Sequence, residues 1–179
     1  MTPKELLDML EFQGGKIIAG GEEHVPMLFC LKNRTDGVEG YDILQLAAVQ
    51  MPEPEHREEM AKQLSELVEK YDGYVFATEG WVVKLPKTEG MTVNEAVDYA
   101  ATIVRPSQHP QRIEVFMVNF VSKWGTYLSR TYEIVRVEGQ PATLKLDVES
   151  TAPLAGIFGN LYDTVDKEQY GWGQGGRGQ

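Results

Sequence analysis

The stretch RIEVFMVNFVSKWGTYLSRTYEIVRVEGQPATLKLDV, residues 112–148, decides the fold class. Its β-branched and aromatic residues fall into three runs, separated by Ser122-Lys123-Trp124-Gly125 and Glu138-Gly139-Gln140-Pro141, both rich in turn formers. Arg112 to Val121, Thr126 to Val137 and Ala142 to Val148 therefore read as three consecutive strands of an antiparallel meander. In the last of them Leu144, Leu146 and Val148 alternate with Thr143, Lys145 and Asp147, which predicts one wet face on an exposed edge strand.

Upstream, Tyr74 to Lys84 is a further strand, and Pro52 to Tyr71 is a helix. Met60, Leu64, Leu67, Val68 and Tyr71 gather on one face of that helix, while Glu53, Glu55, Glu58, Glu59, Glu66 and Glu69 occupy the other with Arg57, Lys62 and Lys70. Asp72-Gly73 ends it. Val25 to Lys32 and Tyr41 to Val49 read as two strands joined by the turn-rich loop Asn33 to Gly40, and because their apolar residues do not alternate, both are expected to be covered on each face. A strand, a helix and a strand in succession permit a crossover connection, right-handed if the two strands are parallel neighbours.

At the start, Thr2, Pro3 and Glu5 form a helix-opening signature. The apolar stripe Leu6, Leu7, Met9, Leu10 and Phe12 follows, and Gln13-Gly14-Gly15 is expected to stop the helix, with a brief strand over Lys16 to Ala19. A second capping box, Thr92 to Glu95, opens a helix that must end before Pro106. Leu154 to Leu161 is expected to dock as a short helical turn. The sum is one α+β domain over residues 1–162, with a mixed, mostly antiparallel sheet of about five or six strands, packed helices and a C-terminal three-strand meander. Residues 163–179, rich in glycine, read as a flexible tail.

With 179 residues, 42% hydrophobic and 25% charged, the chain has an ordinary globular composition. Its 17 Lys plus Arg against 27 Asp plus Glu give a net charge of −10, so no attraction to nucleic acid or to an anionic membrane surface is expected. No apolar run approaches the roughly 20 residues of a membrane span. The N-terminal residues lack the basic and apolar regions of a signal peptide, and Cys30, alone and within an apolar run, reads as an inert buried thiol. A cytoplasmic protein is the expectation.

Chemistry concentrates in two places. Arg105-Pro106-Ser107-Gln108-His109-Pro110-Gln111-Arg112-Ile113-Glu114 joins the second long helix to the meander, with His109 able to exchange protons near neutrality and two arginines able to grip an anion. The plainer reading of this segment is a connector stiffened by ion pairs. Glu79 stands on the otherwise apolar face Val75, Ala77, Trp81, Val83 of a central strand. Such a carboxylate must be paired or protonated, and Arg105, Arg112 and Arg130 are the expected partners. It would serve either as a desolvated general base or in a structural salt bridge, with Gly80 a candidate for a bulge that turns it outward. Glu22-Glu23-His24 lacks a second histidine at ligand spacing, so no metal site and no cofactor are expected.

Ala77-Thr78-Glu79-Gly80-Trp81, followed by the Arg-Pro-Ser-X-His-Pro-X-Arg-X-Glu stretch at residues 105–114, resembles a pattern in uncharacterised bacterial and phage proteins with a β-meander, over residues 60 to 148. The resemblance implies no activity. It implies that Glu79, Trp81, His109, Arg112 and Glu114 share one environment.

The leading expectation is a small soluble accessory protein, phage-encoded on that resemblance, that binds a protein partner or a small anionic ligand through Glu79, Trp81, Arg105, His109, Arg112 and Glu114. The alternatives are a hydrolase-like enzyme with Glu79 or His109 as general base, and an acidic mimic of DNA built on the glutamates of residues 53–72. Self-association is open, because Trp124 and the meander edge are expected to be exposed.

Overall fold

The computed structural model describes residues 1–51, 53–83, 90, 92, 95, 110–154 and 159–162. In chain order these form α1 (Pro3–Ala19), β1 (Met27–Asn33), β2 (Tyr41–Ala48), a 3-10 turn at Pro54–His56, α2 (Arg57–Val68), β3 (Gly73–Val82), β4 (Ile113–Ser122), β5 (Tyr127–Val135) and β6 (Thr143–Ser150). The strands make one six-stranded sheet in the order β2-β1-β3-β4-β5-β6, and every neighbouring pair is antiparallel. The α+β class and the C-terminal meander are as the sequence predicts. The crossover is different. β2 and β3, which flank α2 in the chain, run parallel but are not neighbours, because β1 lies between them and pairs with both.

The sheet has a core on each face, which explains why β1 does not alternate. Leu31 of β1, with Val75, Ala77, Phe116, Val118, Phe120, Tyr132 and Ile134, packs under α1. Leu28 and Cys30 point the other way, where Leu64 and Val68 of α2 meet Tyr74, Phe76, Val121, Leu161 and Tyr162. β2 departs from the expectation of two covered faces. It is an edge strand, and Leu44 and Leu46 stay exposed.

The first helix is longer than the sequence suggests. Thr2 and Glu5 make the reciprocal capping bonds as expected. The helix then runs through Gly14-Gly15 to Ala19, so Lys16 to Ala19 is helical and not a strand. Gly14 is tolerated because it lets the helix lie against Phe116, where a Cβ would fall 2.5 Å from the ring. The real stop is Gly21, with φ +79°, whose N–H reaches Ile18 O while Glu22 N–H reaches Ile17 O.

In β6 the alternation breaks. Val148 pairs with Thr131 and Leu146 with Tyr132, leaving Asp147 as a bulge residue that throws Val148 onto the face opposite Leu146. Both stay about half exposed on this edge. Thr92 and Glu95 make the bonds of the second capping box. The rest of the helix predicted after it, residues 155–158 of the turn predicted at Leu154 to Leu161 and the predicted tail lie outside the described residues. No described helix is long and apolar enough to cross a membrane.

Candidate functional site

Val75 and Ala77 of β3 sit in the α1-side core, so the pleat carries Glu79 and Trp81 along the same face to the end of the strand. In register, Glu79 lies opposite Phe116 and Trp81 opposite Glu114. The site is thus the end of the β3–β4 pair from which residues 84–109 depart.

Glu79 is half buried, and its Oε1 accepts a hydrogen bond from the backbone N–H of His24 at 2.5 Å. Burial pushes its carboxyl above the ordinary carboxylate range. The His24 N–H opposes that rise, Glu114 and Glu23 add to it, and Arg136 opposes it. His24 belongs to the connector between α1 and β1. Its ring is buried at 4.9 Å from the Phe116 ring, and its Nδ1 has no hydrogen-bond partner among the described residues. Burial holds this imidazole below its ordinary range.

Trp81 is 41% exposed, and the Arg112 guanidinium lies 4.8 Å from its ring centroid, a cation–π contact. Beside it Glu114 accepts two hydrogen bonds from Arg136, at 2.8 Å from Nε and 2.7 Å from Nη2. That carboxylate holds the Arg136 guanidinium above its ordinary range.

Glu79, Trp81, Arg112 and Glu114 are therefore brought together as the sequence suggests, while Arg105 and His109 lie outside the described residues. Two of the three expected partners of Glu79, Arg112 and Arg130, need correction. Arg112 goes to Trp81, and Arg130 is engaged elsewhere on the sheet. The described groups that reach Glu79 are the His24 backbone and the field of Arg136, neither of which the sequence singles out for this task. Arg136 shares the face of Tyr132 and Ile134 by period two, and that was the available signal. His24 gave no such signal, because only the path of the connector places it over β3 and β4.

Arg130 forms a separate centre. Only 6% exposed, it donates to Asp8 Oδ1 at 2.6 Å and to Glu149 Oε2 at 2.5 Å, with Glu11 Oε2 at 3.7 Å. Tyr132 donates its phenol proton to Glu11 at 2.7 Å. This cluster ties α1 to β5 and β6. Burial alone would lower the guanidinium's proton affinity, but the bonds to Asp8, Glu149 and Tyr132 raise it on balance. Among the described residues no group of three His, Cys, Asp or Glu side chains is placed to hold a metal ion. No family model, no curated protein and no solved structure matches the chain.

Proposed function

We propose that this chain works as an accessory protein that binds another protein, and that Trp81 with Arg112 is the contact surface. The observation that carries the reading is an exposed tryptophan held under a guanidinium at the rim of a rigid sheet. Trp and Arg are the residue types that most often dominate binding energy at protein interfaces, and the sheet beneath them limits the entropy lost on docking. A small anion is the weaker occupant. The fields of Glu114 and Glu79 already act on Arg136, and Glu114 accepts two hydrogen bonds from it. The general-base reading of Glu79 draws on its raised proton affinity, but one of its oxygens is committed to the connector.

The test is affinity capture from cells producing the tagged chain, run in parallel for the wild type, Trp81→Ala, Arg112→Ala and Trp124→Ala. Trp124 is 66% exposed in the β4–β5 turn, at the opposite end of the sheet, and serves as the surface control. A partner held by the wild type and the control but lost by the other two variants is expected. With the purified pair, each of those two substitutions should weaken Kd at least about tenfold, the effect of a hot-spot truncation. Equal binding by all four proteins, with their folds intact, would overturn the proposal.

A further inference from the structure

The connector from α1 to β1 has one inward anchor. Glu22, Glu23 and Val25 are exposed, whereas His24 between them is 7% exposed. Its side chain lies on Phe116 of β4, and its main-chain N–H is the donor to Glu79 of β3. The same residue therefore ties the connector to two strands, once through its ring and once through its backbone.

We infer that residues 22–25 form a proton-gated strap, in which protonation of His24 releases both ties and uncovers Phe116 and Glu79 beside Trp81. Burial opposes a charge on this ring, although the backbone of His24 and Val25 favours the protonated form in part. A cationic imidazole must donate from both ring nitrogens, yet Nδ1 is buried and has no partner among the described residues. An imidazolium kept in that position would carry an unpaired buried donor and a desolvated charge. The surrounding charges draw it outward. Glu22 and Glu23 lie on the strap, Glu79 on β3, and Glu114 on β4 with Arg136 bound to it. On α1, Glu11 is held by Tyr132 and Lys16 lies over Phe12. A ring that leaves Phe116 for these carboxylates removes the inward anchor of the strap, and the inferred release of the backbone N–H from Glu79 is the consequence of losing that anchor.

The sign follows from proton counting. Buried His24 has a lowered pKa, so the docked strap binds fewer protons than the released one. Docking is at full strength above the ordinary imidazole value of about 6.5 and weakens as pH falls below it. Glu79 acts in the opposite sense. Its raised pKa means that the docked form binds more protons at that carboxyl, so its contribution grows as pH falls toward the ordinary carboxylate range. Release in mild acid is thus assigned to His24, and Glu79 resists it.

The experiment is NMR on the full chain between pH 7.5 and 5, following the His24 ring and the exchange rate of the His24 amide, corrected for intrinsic chemistry. In the wild type, His24 should titrate below the ordinary imidazole value of about 6.5, and its amide should lose at least about tenfold of its protection as the ring takes up a proton. His24→Phe, which keeps an aromatic ring on Phe116 and cannot be protonated, should stay protected to pH 5. Glu79→Gln keeps an acceptor for the N–H but removes the carboxylate titration, so it should still open in acid. This last arm decides the matter if the Phe variant does not fold. Acid opening that persists in His24→Phe or vanishes in Glu79→Gln would overturn the inference. So would a His24 ring that titrates without any change in amide protection.

Discussion

Two adjacent glycines in α1 should respond differently to the same substitution. In a helix interior, Gly→Ala normally stabilises by about 1 kcal/mol, through backbone entropy. At Gly15 the new methyl would lie 3.6 Å from Leu144 Cδ1, an ordinary contact, so Gly15→Ala should gain about that amount. At Gly14 it would lie 2.5 Å from Phe116 Cζ and 2.7 Å from Cε1. Phe116 is fully buried, with the His24 ring at 4.9 Å and the Tyr132 ring at 6.3 Å, so it has little room to move. Overpacking of this kind costs about 1–3 kcal/mol, which leaves Gly14→Ala net neutral to about 2 kcal/mol destabilising. The two variants should therefore differ by about 1–3 kcal/mol, which in a chain of this size is about 2–4 °C in Tm per kcal/mol. Urea unfolding followed by far-UV circular dichroism would measure the difference. Adding Phe116→Leu should turn the effect of Gly14→Ala favourable, because the obstructing ring edge is gone. If Gly14→Ala proves as stable as Gly15→Ala in the wild-type background, the account of helix seating on β4 is wrong.

Three other outcomes follow from the same packing. Arg130→Met should lose about 2–3 kcal/mol in urea unfolding, less than the roughly 3–5 kcal/mol of a fully buried broken pair, because Asp8, Glu11 and Glu149 are each about half exposed and keep part of their hydration. An unchanged midpoint would show that the cluster does not hold α1 to the sheet. Tyr74→Phe should cost about 1–3 kcal/mol, since its hydroxyl is the acceptor for the buried Leu161 N–H at 2.9 Å, and differential scanning calorimetry would register the loss. Burial pushes the Cys30 thiol up to about 11, so a disulfide reagent at pH 8 should leave the native protein unmodified and react fully in guanidinium. Rapid labelling of the folded chain would contradict its place in the α2-side core.

The sequence carried the fold class because local pattern and tertiary environment agree over most of the chain. Turn residues at 122–125 and 138–141 divide the meander, and the spacing of Met60, Leu64, Leu67 and Val68 marks the buried face of α2. Alternation on β3 also marked Glu79 and Trp81 as sharing a face with Val75 and Ala77, and the structure adds that this face leaves the core at the strand end. Local pattern failed where a remote residue changed the meaning of a local one. Gly14-Gly15 reads as a helix stop until Phe116, a hundred residues away, requires a bare backbone there. Leu146 and Val148 read as one face until the bulge at Asp147 separates them.

By itself, then, the sequence determined the helix α2 and the six strands of the sheet, though not the full length of α1, and also that the sheet ends in a meander and that one acid and one tryptophan interrupt an apolar strand. Tertiary structure decided which cation goes where: Arg112 to Trp81, Arg130 to α1 and β6, Arg136 to Glu114. It also decided that a main-chain N–H from His24, and not Arg112 or Arg130, is the donor to Glu79. The physical reason is range. Hydrophobic period and turn chemistry act over a few residues and are written in consecutive letters. A long arginine on a strand has several carboxylates within reach, and the choice among them is made only when helices and connectors settle on the sheet.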